Sequence, residues 1–350
     1  NLGHKFKVFS WFGKKPNSSV MEVAREQRYK AMLNYCKKES IIYLMTAHHF
    51  DDFLETYYMR SQRKHSTLGL NSIPKKYTSD SLIIYRPLIN FRKSRLIKTC
   101  KKYNINWIND TSNKNIKFER VKVRNFFEKN PQIYNELEKE VKIKILKNQK
   151  IESKCSLFFL RNLNFFEYGV FSFPFDKFII LTNDLKTEIL KKVLTTCSGK
   201  LFPPRRSSLF FCLEKTKLNK NFRHTLHNCI IEKKDNELRF FREYKSLLIK
   251  NLKVNINSDS EFLWDDRFQI TTKKNIVCFT LNEKKWLSYR KDFYSIKKNL
   301  GINFDILKTL PVIQVKKKVI IPFLSSKKVM ENEGLTVKFQ PRIPLSKKNF

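Results

Sequence analysis

The chain has 350 residues, with 71 Lys and Arg against 32 Asp and Glu, and a formal net charge of +39. A field of that strength is foreign to an ordinary enzyme of small metabolites and attracts polyanions, although abundant Lys beside Ile, Asn and Phe marks a biased composition that inflates part of it. Hydrophobic residues at 41% exclude wholesale disorder, no apolar run approaches the roughly 20 residues that span a bilayer, and no signal-peptide pattern is present, so a cytoplasmic protein without membrane contact is expected.

Length predicts two or three domains at about 100–200 residues each. In chain order, Lys5–Trp11 reads as a strand, Ser19–Lys37 as a helix, Ile41–Thr46 as a buried parallel strand and Asp51–Arg63 as a helix. Leu82–Tyr85 reads as a short strand before Arg86–Pro87, and Phe91–Tyr103 as a basic helix. This alternation predicts an α/β, doubly wound parallel sheet over residues 1–130. Pro131–Lys150 reads as a charged amphipathic helix that opens a helical and mixed middle region, 131–250. There Tyr168–Phe175 is strand-like, Leu185–Thr195 and Arg205–Lys215 are helical, and Thr225–Ile231 forms a hairpin with Glu237–Phe241. From 251 to 350 short strands dominate, with Pro311–Phe323 a hairpin tipped by Lys316, Lys317 and Lys318. The seven cysteines are scattered and never spaced C-x-x-C, which predicts reduced thiols.

The most informative stretch is Leu44–Thr56, LMTAHHFDDFLET, where two histidines and three carboxylates sit at the junction of a strand with a helix. In open α/β sheets ligands bind at the carboxyl edge of the strands, and a carboxylate at a helix start also caps free amides, so Asp51 reads either as an N-cap or as a ligand-binding group. Around it stand AREQRY at Ala24–Tyr29, LGL at Leu68–Leu70, YRPLI at Tyr85–Ile89, WINDTSN at Trp107–Asn113 and RVKVRNFF at Arg120–Phe127. Downstream lie GKLFPPR at Gly199–Arg205, TLHNCII at Thr225–Ile231, FRE at Phe241–Glu243 and WDDRF at Trp264–Phe268.

In order and spacing this series resembles the tRNA(Ile)-lysidine synthetases, a family of N-type ATP pyrophosphatases. The likeness is specific over residues 6–127 and thinner beyond. It implies ATP-dependent ligation of lysine to C2 of the wobble cytidine in the CAU anticodon of a minor tRNA(Ile), through an adenylated tRNA intermediate. The partners it implies are ATP, Mg²⁺, lysine and that tRNA, with a homodimer as the expected assembly. One departure stands out: the family's Ser-Gly-Gly-x-Asp-Ser ATP loop is absent from this sequence, which holds seven glycines. Lys5–Trp11 would then match the family's third strand, and an incomplete sequence is the expectation. A catalytically inactive tRNA-binding relic, or another N-type pyrophosphatase acting on tRNA, is the alternative, the latter weakened by the lack of paired cysteines.

The resemblance assigns residues to roles. Asp51, Asp52, Glu55, Arg86 and Asp110 are the catalytic candidates, Asp110 as a group that meets the lysine amine. Asp52 and Glu55 share a helical face and could hold Mg²⁺. Arg25, Arg28, His48 and His49 are candidates for ATP and phosphate. Arg120 and Arg124, four apart on one helical face, with Arg205, Arg206 and Arg223 further on, are candidates for tRNA phosphates, beside Lys215, Lys217 and Lys220.

Overall fold

The computed structural model describes residues 3, 5–11, 20–62, 76–79, 82–108, 118–218, 221–250, 252–299 and 302–345. It divides into two compact units, residues 1–143 and 144–350. The expected boundary at 130 falls inside the first unit and the one at 250 inside the second.

In the first unit the elements are α1 (Val20–Lys38), β1 (Tyr43–Met45), α2 (Phe50–Ser61), β2 (Lys76–Ser79), β3 (Leu82–Tyr85), α3 (Lys93–Lys102), α4 (Glu119–Lys129) and α5 (Pro131–Asn162), the last running on into the second unit. The sheet order is β1-β3-β2, with β1 parallel and β2 antiparallel to β3, so the described sheet is mixed and three-stranded rather than wholly parallel. Leu82 and Ile84 of β3 pack with Cys36 of α1, which brings helix and sheet together around a small apolar core. The expectation of a buried strand at Ile41–Thr46 fails in part. Ile42, Tyr43 and Met45 are exposed, because β1 has β3 on one side and no second ladder partner among the described residues. Lys5–Trp11 is likewise irregular and exposed rather than a strand. Its β-favouring residues find no ladder partner among the described residues, and Phe9 meets Tyr35 of α1 edge-on.

The second unit holds β4 (Asn164–Phe166), β5 (Val170–Pro174), α6 (Phe175–Ile179), α7 (Asn183–Ser198), α8 (Arg206–Leu218), β6 (Phe222–Leu226), β7 (Cys229–Lys234), β8 (Glu237–Arg242) and α9 (Tyr244–Ile249). Strands β4-β5-β8-β7-β6 form one antiparallel sheet, whose core side is filled by Phe171, Phe173 and Phe240 against Ile189 and Val193 of α7. The expected strand Thr225–Ile231 is in fact two strands. His227 and Asn228, at φ +57° and +60°, form a two-residue turn between β6 and β7, the left-handed pair that matches strand twist.

Onward come β9 (Val254–Ile256), β10 (Ser260–Trp264), β11 (Phe268–Thr272), β12 (Ile276–Thr280), α10 (Glu283–Asn299), α11 (Phe304–Leu307), β13 (Pro311–Val315), β14 (Lys318–Ile320), α12 (Lys327–Asn332) and β15 (Leu335–Phe339). They build a β10-β11-β15 sheet and a β14-β13-β12-β9 sheet around Trp264, Phe268 and Ile313. The lysine-tipped hairpin forms as expected, turning at Lys316–Lys317. The 17-residue α10 is a departure from the expected run of short strands. Phe339 packs against both cores of the unit, and Gly169, at φ +77°, leaves room for it, since a Cβ there would lie 2.7 Å from the Phe339 ring. All seven cysteines are free, and no helix among the described residues is long and apolar enough to cross a membrane.

Candidate active site

Because β1 and β3 run parallel, their carboxyl ends, Met45 and Tyr85, meet at one edge of the sheet, where Thr46 N–H donates to the Tyr85 carbonyl at 2.9 Å. The chain then turns into α2 through His49, whose extended backbone makes it the N-cap. The His49 ring accepts from Asp52 N–H at 3.4 Å and Asp52 Oδ2 accepts from His49 N–H at 3.0 Å. This is a capping box with histidine in the usual hydroxyl position.

Asp51 is therefore not the cap of its own helix, as the sequence suggested, but of another. Its Oδ2 accepts Lys93 N–H, the first amide of α3, at 2.7 Å, and its Oδ1 accepts the Tyr134 hydroxyl at 2.9 Å. Burial opposes ionisation of Asp51, but the bonds from His49, Lys93 and Tyr134 win and hold its carboxyl at about 2. The folded value lies below the unfolded value near 3.9, so the stability Asp51 contributes is present above about pH 4 and lost as pH falls toward 2. Asp51→Ala should cost about 1–2 kcal/mol in urea unfolding at pH 7, and the gap from the unsubstituted protein should close as pH approaches 2. A gap independent of pH would show that the carboxylate plays no such part.

Glu55, one turn beyond Asp51, is almost wholly buried and binds Arg124 of α4 through both oxygens, at 2.5 and 3.2 Å. Burial pushes its carboxyl above the usual glutamate range against the pull of Arg124, with Asp52 adding to the rise. Arg124 also lies 3.6 Å from Asp52 Oδ1, and Arg120 donates to Thr56 Oγ1 at 3.1 Å. The Arg120 and Arg124 face thus meets α2, and the Glu55 oxygens are bonded to Arg124. Among the described residues, no group of three or more His, Cys, Asp or Glu is placed to hold a metal ion.

His48 occupies a different environment from His49. Its Nδ1 lies 2.9 Å from Thr46 Oγ1, and burial pushes its ring below the ordinary histidine range, a shift opposed by Asp52 and reinforced by Arg86, Arg25 and Arg120. Three guanidinium groups, on Arg86, Arg25 and Arg120, are thus in electrostatic reach of the ring. Arg86 is buried at the end of β3, while Arg25 and Arg28 are exposed on α1, Arg25 leaning over the Tyr29 ring. Asp110, and with it the DTSN and LGL motifs, lies outside the described residues.

Beside α2 opens a crevice of about 460 Å³, whose walls include His49, Asp51, Glu55, Arg92, Arg124 and Tyr134. Arg92 and Tyr134 were not singled out from sequence. Arg92 stacks over the Tyr134 ring and binds Glu138, which locks the start of α3 against α5. Tyr134 is the one tyrosine of the stretch 131–150 that reads as a solvated helix, and that single aromatic was the signal available.

Comparison with known proteins decides the family. Residues 3–130 match the PP-loop domain family. Over 93% of its length the chain is 33% identical to the tRNA(Ile)-lysidine synthase of Rickettsia prowazekii (strain Madrid E), covering 77% of that protein. It is 32% identical to that of Rickettsia typhi (strain ATCC VR-144 / Wilmington) with the same coverage. The chain belongs to the tRNA(Ile)-lysidine synthase family. In this family member the PP-loop match covers the β1–α2 junction and the crevice lining up to Glu128, and it makes the first unit an ATP-binding α/β domain.

Further family-like motifs fall in the second unit. Arg205 and Arg206 are exposed at the start of α8, where Arg206 reaches Asp184 at 3.4 Å. Arg223, a candidate for tRNA phosphate, forms ion pairs with Glu232 and Asp305, at 3.2 and 2.5 Å. Lys220 and the side chain of Lys217 lie outside the described residues. The WDDRF motif forms a turn in which Asp265 and Asp266 take φ +50° and +60°. Gly199 of GKLFPPR, at φ +69°, packs on that turn, where a Cβ would lie 2.9 Å from the Asp265 carbonyl oxygen. These two distant motifs are thus one structural joint.

Proposed function

We propose that the chain makes lysidine: with ATP it joins the side-chain amine of lysine to C2 of the wobble cytidine in the CAU anticodon of a minor tRNA(Ile). In the first step the cytidine O2 attacks the α-phosphorus of ATP and pyrophosphate leaves. In the second the lysine nitrogen attacks C2, the C2–O2 bond breaks, AMP leaves with that oxygen, and the amine gives up a proton. The observation that carries this reading is family membership over nearly the whole chain, joined to a carboxylate and histidine cluster at the carboxyl edge of a parallel strand pair.

Both steps gain most from positioning and from cations aimed at developing negative charge. Arg25, Arg28 and the buried Arg86, with His48, are suited to the triphosphate. Asp52 is the side chain proposed to hold Mg²⁺, which would neutralise charge on the ATP phosphates. Glu55 acts instead as a positioning residue, holding Arg124 in place beside Asp52. His49 and Asp51 set the crevice walls, and Asp110 is proposed to meet the lysine amine. Arg205 and Arg206 are proposed to contact the tRNA body. A homodimer is the proposed assembly.

The test is incorporation of radiolabelled lysine into a tRNA(Ile) transcript by the natural protein. Incorporation should require ATP and the CAU anticodon, and should disappear with a GAU anticodon. Lysine transfer that is absent, or indifferent to the anticodon, overturns the reading.

A further inference from the structure

The outer face of α8 carries an aromatic side chain that its own core does not use. Phe211 is 56% exposed, while its neighbours Cys212 and Leu213 are buried. One turn on, the Lys215 ammonium stands 4.5 Å from the centre of the Phe211 ring. The His224 ring, on β6 at the edge of the five-stranded sheet, lies 6.2 Å from it at 60°, and His224 is backed by buried Phe222 at 5.8 Å. The Lys215 ammonium thus lies over one face of the ring and His224 meets it at a tilt, while more than half of Phe211 stays open to solvent.

The surrounding surface is rich in cations, with Glu214 an exposed acid next to Lys215. Arg205 precedes the same helix and Arg206 opens it, stacking over the half-exposed Phe210. Among the described residues neither Lys215 nor Arg205 forms an ion pair, whereas Arg223, next to Phe222 on β6, is paired with two carboxylates. An exposed aromatic ring with an ammonium beside it matches the two halves of a nucleotide: the ring offers a stacking surface to a base, and the cation meets an adjoining phosphate. A base inside a duplex has both faces covered, so the base that fits must be unpaired.

The geometry points to Phe211, with Lys215 and His224 around it, as a stacking site for an unpaired nucleobase of the tRNA substrate, with Lys215 and Arg205 on its phosphates. This rests on the reading of the chain as a tRNA-modifying enzyme and gives the second unit a defined contact with that RNA. The site confers affinity and register and takes no part in the chemistry.

The experiment is fluorescence anisotropy of a labelled CAU tRNA(Ile) transcript, titrated with the natural protein and with Phe211→Ala, Phe211→Tyr and Lys215→Gln. Phe211→Ala should weaken binding about tenfold, and Phe211→Tyr should stay within about twofold, because base stacking on an aromatic ring tolerates the added hydroxyl. Lys215→Gln should reduce the slope of log affinity against log salt by about one phosphate contact. A short single-stranded oligonucleotide should compete better than a blunt duplex. Phe211→Ala binding within twofold of the unsubstituted protein overturns the site, as does failure of the unsubstituted protein to bind the transcript. Lysine incorporation by the same preparation separates the cases: an active protein with unchanged Phe211→Ala binding refutes only the stacking site, whereas an inactive one refutes the functional reading itself.

Discussion

Asp52→Asn should slow lysine transfer to tRNA by about 100-fold or more while leaving the fold in place. The reason lies in what each atom of this side chain does. Oδ2 accepts the His49 N–H at 3.0 Å and so caps α2, a task that an asparagine carbonyl oxygen also performs. The negative charge does something different. It faces Arg124 at 3.6 Å and opposes the other influences on His48, so it tunes the polar groups at the strand edge where ATP is proposed to bind. Removing charge and keeping the cap separates the two tasks. The loss of one preorganised electrostatic group at a reacting centre is typically worth about 10²–10³ in turnover. Thermal unfolding of Asp52→Asn should remain within a few degrees of the unsubstituted protein, while Asp52→Ala loses the cap as well, at about 1 kcal/mol. Turnover by Asp52→Asn equal to that of the unsubstituted protein would take Asp52 out of the mechanism.

The second large effect is on stability. Asp265→Ala should destabilise the second unit by about 3–5 kcal/mol, which for a unit of this size lowers its melting temperature by roughly 10 °C. Asp265 is fully buried between two fully buried guanidinium groups. Arg242 binds it through both oxygens, at 2.9 and 3.1 Å, Arg267 donates to Oδ2 at 2.7 Å, and Lys250 reaches Oδ1 at 3.1 Å. Burial alone would push the Asp265 carboxyl up; Arg267 and Arg242 overcome it and hold the carboxyl below the usual range. Alanine would leave two desolvated cations facing each other without a counter-charge, which is the expensive way to break a buried pair. The pH signature follows from the sign of the shift. A lowered carboxyl stabilises the fold above about pH 4 and ceases to do so as pH falls through its folded value. Differential scanning calorimetry checks both points, and a variant melting within 2 °C of the unsubstituted protein at pH 7 contradicts the account.

Much of the candidate site was legible because it is local. The change from a β-branched run to helical spacing at Thr46–Asp51 located the strand-to-helix junction, and Leu82–Tyr85 was recovered residue for residue because four apolar residues before Arg86–Pro87 admit few alternatives. What failed was long-range. Asp51 caps α3 across 42 residues of sequence, and no local pattern distinguishes that from capping its own helix. Arg120 and Arg124 do share a helical face, as their spacing requires, but which way the face points depends on Glu55, buried on another helix. The turn at His227–Asn228 lacks the glycine that usually betrays two left-handed residues, so one strand was read where there are two. Lys5–Trp11 shows the same limit from the other side: a strand needs a neighbour, and composition does not supply one. The joint between Gly199 and the WDDRF turn was present in the sequence as two separate motifs, and their contact depends on a fold that brings residues 199 and 265 together.

The most direct test of the central claim is nucleoside mass spectrometry of a CAU tRNA(Ile) transcript after reaction with the natural protein, ATP, Mg²⁺ and isotopically labelled lysine. The account predicts that the wobble cytidine is replaced by a cytidine carrying labelled lysine through a carbon–nitrogen bond stable to mild alkali. Label recovered as an alkali-labile ester, label on another nucleoside, or an unmodified wobble cytidine would contradict it.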